Sequence, residues 1–366
     1  MRFIEYLREH TTIPLPCIRC WGSIEESPQR LGPFIILDFI EGTRLSTFLK
    51  QPTEDDQVDM ILNPTIDDET LDTIYGQLAD YLLQISRLEF PQIGTISKDA
   101  SEAWTVTGRP LTYNMNELTS STGYPVDQFP TAPFDHASDF FQSVARQHLL
   151  HLKTQRNLAS DEADVRKWFI ARHRFEQLIP KYCIDDAGPF KVFCDDMQPA
   201  NMLINPNTLR ITAVFDFEFT NSMPAQFSYD PPWWLLLRGP DMWLEQYGMD
   251  DFLARYVPRM EQFLRALVRV EAKSASAGGP TELHLSAQMR DSWKTGRFWF
   301  NYATRTCLDI DNIYWHALHD HADGDGVDLL DEVTRAEMEL LVQMKMEQRK
   351  AYEEECAVRF PEEESR

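Results

Sequence analysis

Hydrophobic positions recur at helical spacing over most of this chain, and strand-like runs are confined to short regions. The helical segments are residues 1–9, 71–88, 135–180, 233–270 and 292–318. In the second of them Ile74, Leu78, Tyr81 and Ile85 fall on one face, as expected of an amphipathic helix. The pattern therefore predicts a mostly helical protein.

Strand-like patterns occur near the N-terminus and again at residues 190–220. Cys17–Ser23 and Gly32–Ile40 predict two strands, and the unbroken apolar run of the second is typical of a buried strand. Residues 92–134 are rich in Gly, Pro, Ser and Thr and predict a long ordered loop, while the small residues of Ala272–Thr281 predict a shorter one.

These elements predict an α+β, mostly helical fold in three parts. We expect a very small first lobe at residues 1–42, with the end of a helix, two strands and a hinge. A helical body follows at 43–328, with a strand insert at 190–220, and 329–366 forms a charged C-terminal helix.

Composition excludes several classes of protein. The 366 residues are 43% hydrophobic and 12% aromatic, which indicates a packed core, and the formal charge of −23 disfavours binding to nucleic acid or to an anionic membrane. The six cysteines are scattered, and no apolar run reaches the ~18 residues of a membrane span. We expect a soluble, cytoplasmic protein.

Three polar residues around the strand insert have the spacing of a phosphoryl-transfer site. Asp196 precedes Asn201 by five residues, and Asp216 follows the next apolar strand. Such a site needs a carboxylate to deprotonate the acceptor hydroxyl and oxygen ligands to hold Mg²⁺. Asp196 fits the base, and Asn201 and Asp216 fit the metal ligands. Asp195 has the same chemistry as its neighbour but lacks the spacing.

The chain here resembles the aminoglycoside phosphotransferase family, which has a protein-kinase-like fold. The motifs are Asp196-x-Gln198-Pro199-x-Asn201, Asp216-Phe217-Glu218 and the strand and hinge of Phe34–Gly42. The resemblance implies ATP and Mg²⁺ as cofactors and a small-molecule hydroxyl as acceptor. It also implies that the backbone near Phe39 and Ile40 meets the adenine, and that a buried acid and a helix follow the metal motif around Asp230.

Two departures from the family pattern bear on activity. Cys194 stands where the family usually has a His that shapes the catalytic loop, and a thiol is a weak hydrogen-bond donor. A Gly-rich loop, a strand Lys and a helix Glu should precede the helix that ends at Pro14, and this sequence has no residues for them. The alternatives are an active small-molecule kinase, a pseudokinase-type binding or regulatory protein, and an upstream segment missing from this sequence.

Other constellations leave alternatives open. His321–Glu332 nearly matches a calcium-binding loop, but His at the first position and Asp328 at a usually apolar position favour a solvated acidic loop. Cys17 and Cys20 form a lone pair without the second pair of a zinc site. Aromatic residues at helical spacing suggest either a cage for a cationic acceptor or ordinary core. They are Trp233, Trp234, Trp243, Trp299, Tyr302 and Trp315.

Overall fold

The computed structural model describes residues 2–53, 60–276 and 284–360, and it confirms an α+β, mostly helical fold. The helices are α1 Arg2–His10, α2 Leu45–Leu49, α3 Asp68–Ile85, α4 Tyr113–Ser121, α5 Ala137–Thr154, α6 Glu162–Tyr182, α7 Ala225–Ser228, α8 Pro240–Gln246, α9 Gly248–Ser276, α10 Leu285–Thr295, α11 Arg297–Arg305, α12 Ile310–Ile313 and α13 Glu332–Arg359. The strands are β1 Ile18–Gly22, β2 Phe34–Leu37, β3 Thr43–Arg44, β4 Glu89–Phe90, β5 Thr95–Lys98, β6 Trp104–Gly108, β7 Phe190–Phe193, β8 Met202–Asn205, β9 Arg210–Val214 and β10 Asn221–Met223.

Aspartate side chains fix the start of three long helices. Asp67, Asp161 and Asp331 each accept hydrogen bonds from backbone N–H groups of the first turn of α3, α6 and α13, respectively. These N–H groups have no partner within a helix, and a negative charge is favourable at the positive end of the helix dipole. The sequence therefore determines where these helices begin.

The strands form four small antiparallel sheets, which together position the candidate site. β1 pairs with β2, and β5 pairs with β6. The other two sheets have the orders β10-β7-β4 and β3-β8-β9. β7 and β10 belong to the first of these two sheets, and β8 and β9 belong to the second. The loop between β7 and β8 and the residues between β9 and β10 therefore both connect the same two sheets.

The largest apolar core among the described residues joins these sheets, except β1–β2, to the helical body. Within it α3 packs on α9, where the rings of Tyr75 and Phe263 meet edge to face with their centroids 5.7 Å apart. The inward-facing residues Met202 and Ile204 of β8 are fully buried in the same core. The strands that carry the site are thus supported by the main core, which favours a fixed geometry.

Gly32–Ile40 contains a strand as predicted, but the prediction that this strand is buried was wrong. β2 exists, but Ile35 and Ile36 are 49% and 51% exposed and Phe39 is 89% exposed. The reason is that β2 pairs only with β1 in the described part of the chain, so no second layer covers its outer face. An apolar run therefore did not indicate burial here.

Two predicted loops also contain regular structure. Residues 92–134 include β5, β6 and α4, in which polar positions alternate with buried ones such as Ile96 and Val106. These strands are too short and too rich in Thr for a clear apolar pattern. The loop predicted at Ala272–Thr281 begins inside α9, which continues to Ser276, and its remaining residues lie outside the described range.

The exposure of β2 can be tested by making the same truncation in two strands. Ile204→Ala, at a site with no exposed surface, should lower the free energy of unfolding by about 2–5 kcal/mol because it leaves a cavity. Ile36→Ala should lower it by about 1 kcal/mol or less, because half of that side chain is already in water. Urea denaturation measures both, and equal losses would contradict the arrangement of the β1–β2 sheet.

Candidate active site

The loop between β7 and β8, residues 194–201, is shaped by its own backbone. The Gln198 N–H donates to the Asp196 carbonyl at 2.9 Å, and the Asn201 N–H donates to the Gln198 carbonyl at 2.9 Å. Pro199 begins a short 3₁₀ turn that ends at Asn201. The five-residue spacing read from the sequence thus becomes two consecutive turns, which bring the Asp196 and Asn201 side chains together.

The structure holds the half-buried Asp196 carboxylate between two amide donors. Asn201 Nδ2 donates to Asp196 Oδ2 at 2.7 Å, and Gln198 Nε2 donates to Oδ1. Burial raises the pKa of Asp196, the two amide hydrogen bonds oppose that shift, and the negative charges of Asp216 and Asp195 add to it. A carboxylate with a raised pKa is a stronger base, as an acceptor of a hydroxyl proton should be.

The orientation of the Asn201 side chain leaves its amide oxygen without a hydrogen-bond donor among the described residues. Its amide nitrogen donates to both the side chain and the backbone carbonyl of Asp196, at 2.7 and 3.0 Å. Its Oδ1 accepts no hydrogen bond from any residue in the described part of the chain. An amide oxygen is a suitable ligand for a hard cation such as Mg²⁺.

Asp216 lies just beyond β9, where the backbone turns sharply. Its φ of +64° is left-handed, a conformation that Asp tolerates better than most side chains. The exposed carboxylate accepts no hydrogen bond from a described residue. Burial raises the pKa of nearby Glu218, and the charges of Asp216 and Asp196 raise it further. Asp196, Asp216 and Glu218 are therefore close enough to repel one another.

Asp216 and Glu218 border a cavity of about 550 Å³, which we call the apolar cleft. The structure places Phe39 and Ile40 in the same cleft. Its lining consists of Phe3, Ile4, Pro16, Ile35, Leu37, Asp38, Phe39, Ile40, Leu203, Ala213, Phe215, Asp216, Phe217 and Glu218. The charged groups among these described residues are all carboxylates, so the cleft has apolar walls and a negative end.

Asp196 borders a second cavity of about 480 Å³, which we call the acidic cavity. Its carboxylates are Glu117, Asp195, Asp196, Asp241 and Asp309, and its arginines are Arg238 and Arg305. Burial raises the pKa of Asp309 to about 7, and the charges of Asp241 and Glu117 contribute to the same shift. Burial also raises the pKa of Glu117. This cavity therefore concentrates negative charge that a cationic ligand would offset.

The structure distinguishes the two adjacent aspartates. The Asp195 carboxylate pairs with the buried guanidinium of Arg305, while its backbone carbonyl accepts a bond from Trp233 Nε1 at 3.3 Å. Asp195 is thus committed to an ion pair, whereas Asp196 accepts only neutral amide donors. No sequence signal identified Arg305, because the pair joins residues 110 positions apart.

Behind this pair lies the buried acid that the resemblance implied at Asp230. It is 8% exposed, and its Oδ1 accepts bonds from Ser292 Oγ at 2.5 Å and Asn301 Nδ2 at 2.9 Å. Its Oδ2 is buried and has no hydrogen-bond partner among the described residues. Burial raises the pKa of Asp230 to about 7, and the positive charge of Arg305 opposes this shift.

The other constellations have simpler explanations in the structure. Within residues 2–53, 60–276 and 284–360, no three His, Cys, Asp or Glu side chains are grouped as metal ligands, and no helix there is long and apolar enough to cross a membrane. Cys17 and Cys20 are exposed free thiols. Trp234, Trp243 and Trp299 are buried core residues, whereas half-buried Trp233 borders the acidic cavity.

No family model and no curated protein matches the chain. Among solved structures, it is similar to APH(2")-IIia in complex with GDP and kanamycin, with 14% identity, a TM-score of 0.39, and coverage of 94% of this chain and 80% of that one. A candidate aminoglycoside phosphotransferase from Ralstonia eutropha shares 14% identity, with a TM-score of 0.43 and coverage of 96% and 82%.

A third similar structure is a thermostable mutant of the aminoglycoside phosphotransferase APH(4)-Ia with AMP-PNP and hygromycin B. It is 13% identical, with a TM-score of 0.41 and coverage of 93% of this chain and 81% of that one. These proteins belong to the family that the sequence motifs resemble. Because all three TM-scores are below 0.5, the function proposed below rests on the residues of this chain.

The buried Asp230 predicts an unusual pH dependence of stability. Its pKa rises from 3.8 to about 7 on folding, so the folded chain takes up a proton between these pH values and its stability falls as pH rises through them. Asp230→Asn removes this effect while keeping an oxygen acceptor. Between pH 4 and pH 8, the variant should lose less unfolding free energy than the wild type, by a few kcal/mol.

Denaturant titrations at several pH values measure this difference. Asp323→Asn, at an exposed carboxyl, is the matched control and should follow the wild-type curve. Parallel curves for Asp230→Asn and the wild type would contradict the raised pKa.

Proposed function

We propose that the chain is an ATP-dependent phosphotransferase that acts on a hydroxyl group of a small molecule. One observation carries the proposal. Asn201 turns its amide nitrogen to Asp196, which leaves the Asn201 oxygen and the Asp216 carboxylate without a hydrogen bond from any described residue. The charge of Asp216 acts on Asp196, so the three side chains belong to one site. A base and two oxygen ligands in this order are what phosphoryl transfer needs from a protein.

Each of these residues has a defined role in the proposal. Asp196 orients the acceptor hydroxyl and takes its proton, and Gln198 and Asn201 keep the carboxylate in place. Asn201 and Asp216 hold Mg²⁺, because their oxygens fit the preference of this ion for hard ligands. The bound ion would neutralise charge on the phosphates. Residues 1–42 would form a remnant of the first lobe and 43–328 the helical body.

The apolar cleft suits the base of a nucleotide better than its phosphates. The backbone near Phe39 and Ile40 borders apolar walls that can take a flat ring. Asp38, Asp216 and Glu218 supply the charged groups among the lining residues. Asp38 is paired with Arg19, and the carboxylates of Asp216 and Glu218 repel a phosphate chain. Nucleotide binding in this cleft therefore depends on a divalent cation.

The acidic cavity indicates a cationic acceptor. Asp195 is neutralised by Arg305. Burial raises the pKa of Glu117 and of Asp309, and the charges of neighbouring acids add to both shifts. An amine close to these carboxyls would offset their repulsion and favour their ionised forms. A cavity of about 480 Å³ is within the size range of small-molecule sites. We therefore propose an amine-bearing alcohol as substrate.

A second function is favoured by a different observation. The described residues that line the apolar cleft include no Lys or Arg, and kinase-type enzymes use a Lys to grip the phosphates. A chain that binds a nucleotide or an amine without transferring phosphate, as a pseudokinase-type regulatory protein, would need only the parts present here. Binding and transfer must therefore be measured separately.

Nucleotide binding should require a divalent cation. The melting temperature of the wild type should rise with Mg-ATP but not with ATP and EDTA, because only the metal offsets the carboxylates of the cleft. Asp216→Ala should lose most of the Mg-dependent rise, while Asp323→Ala, far from the cleft in sequence and exposed, should keep it. A wild type that Mg-ATP does not stabilise would contradict the proposed site.

Transfer should depend on Asp196 more than binding does. With Mg-ATP and a panel of amino alcohols and neutral alcohols, Asp196→Ala should lower the rate of ADP formation at least ~100-fold, because it removes the base, and should keep most of the Mg-ATP melting shift. The panel should favour the amino alcohols. Equal rates for Asp196→Ala and the wild type would exclude Asp196 as the base, and binding without transfer on any acceptor would favour the regulatory function.

A further inference from the structure

A buried ion pair connects the end of α11 to the loop that carries Asp196. Arg305, the last residue of α11, is 7% exposed, and its Nη1 pairs with Asp195 Oδ1. The side chain of Asp195 is 21% exposed and borders the acidic cavity. The pair therefore involves the residue directly before the proposed base.

The guanidinium of Arg305 is held from several sides. Its charge centre lies 5.1, 5.8 and 5.4 Å from the ring centroids of Phe193, Phe227 and Tyr302, respectively. Its Nε also donates to the Asn301 carbonyl at 3.3 Å. Such packing leaves a planar, charged group few alternative positions. Arg305 is a fixed support rather than a mobile surface side chain.

Asp230 is a second acid that interacts with Arg305. The two groups interact electrostatically, and the carboxyl of Asp230 is itself fixed by Ser292 and Asn301. The ion pair with Asp195 and the attraction to Asp230 offset the cost of burying the Arg305 charge. Arg305 is thus anchored in the helical body on one side and bonded to the β7–β8 loop on the other.

The other side chain at the start of this loop provides little support. Burial raises the pKa of the Cys194 thiol to about 12, so it remains neutral, and a neutral thiol is a weak donor. The loop contacts that involve charge pass through Asp195. A charged hydrogen bond is roughly twice as strong as a neutral one.

We propose that Arg305 and Asp195 are positioning residues, whose buried ion pair fixes the β7–β8 loop to α11 and so sets the place of the Asp196 carboxylate. The pair acts through the backbone between Asp195 and Asp196. Both of its residues line the acidic cavity, and neither lines the apolar cleft. The inference rests on the proposed function for its catalytic meaning, but the positioning itself can be measured without any substrate.

Hydrogen exchange followed by mass spectrometry tests the positioning directly. Arg305→Met removes the pair, and amides of the peptide 194–203 should then exchange about tenfold faster, while those of α3 keep their wild-type rates. Arg305→Lys keeps a charge at the site and should return the loop to within about threefold of the wild type. If Arg305→Met fails to fold, Asp195→Asn removes the ion pair from the other partner while retaining an oxygen acceptor. The same faster exchange of the peptide 194–203 is then expected.

A second buried ion pair supplies the control. Arg172 and Asp311 pair at 2.7 Å in another part of the helical body, where Arg172 has no exposed surface. Arg172→Met should lower the melting temperature without changing the ratio of exchange between the loop and α3. A purely structural role for Arg305 predicts the same result for Arg305→Met, and that result would overturn the inference.

The double variant Asp195→Asn with Arg305→Met separates position from charge. It leaves no unpaired charge at the pair, so stability should recover relative to Arg305→Met, but the loop should still exchange about tenfold faster than the wild type. A return of the loop to wild-type exchange would show that only the unpaired charge mattered and would contradict the positioning role.

Kinetics provide a second readout on the same variants. Arg305→Met should lower kcat at least ~10-fold and change the KM for ATP less than about twofold, because Arg305 does not line the apolar cleft. An unchanged kcat would overturn the inference. A wild type that neither binds Mg-ATP nor transfers phosphate would instead contradict the proposed function, and the exchange experiment would still decide the role of the pair.

Discussion

The site depends on how the repulsion between its carboxylates is offset. Asp195 and Asp196 are adjacent. Burial raises the pKa of Asp196, and the charges of Asp216 and Asp195 add to that shift. Arg305 neutralises Asp195 through an ion pair, and two neutral amide groups donate hydrogen bonds to Asp196. Asp216 has no such partner among the described residues. Asp195, Asp196 and Asp216 therefore differ in chemistry although all three are aspartates. Charge, hydrogen bonding and burial each change the affinity of a carboxylate for protons and metal ions.

Local sequence was enough to assign Asp196 and Asn201 to one loop, whereas the hydrogen bond between their side chains is a finding of the structure. The helices were also predictable where a long apolar face and an aspartate cap coincide, as in α3. The exposure of β2 was not predictable from local sequence, because burial of an apolar strand depends on whether another layer covers it. The role of Arg305 was not predictable either, because its ion pair joins residues 110 positions apart. No local pattern distinguishes an Arg in an aromatic helix as a partner of the β7–β8 loop.

Residues 92–134 show how composition can conceal a functional segment. Its Gly, Pro and Ser content predicted a loop, yet α4 within it contributes Glu117 to the acidic cavity. A Thr112 cap starts this helix, and only a few of its residues are buried. A short helix with so small an apolar face leaves a weak periodic signal, although the fold uses it to bring a carboxylate opposite Asp309. The acidic character of the cavity is therefore a tertiary property.

The two cavities place opposite demands on electrostatics. Phosphates need positive charge, and a cationic acceptor needs negative charge, yet both cavities contain more carboxylates than basic groups. In the acidic cavity this excess favours an amine directly. In the apolar cleft it can be reconciled with a nucleotide only through a divalent cation, because the lining residues supply no positive charge of their own. The metal would then carry a larger share of phosphate binding here than in a site that also has a Lys. Affinity for the nucleotide should accordingly follow the affinity of Asn201 and Asp216 for the metal.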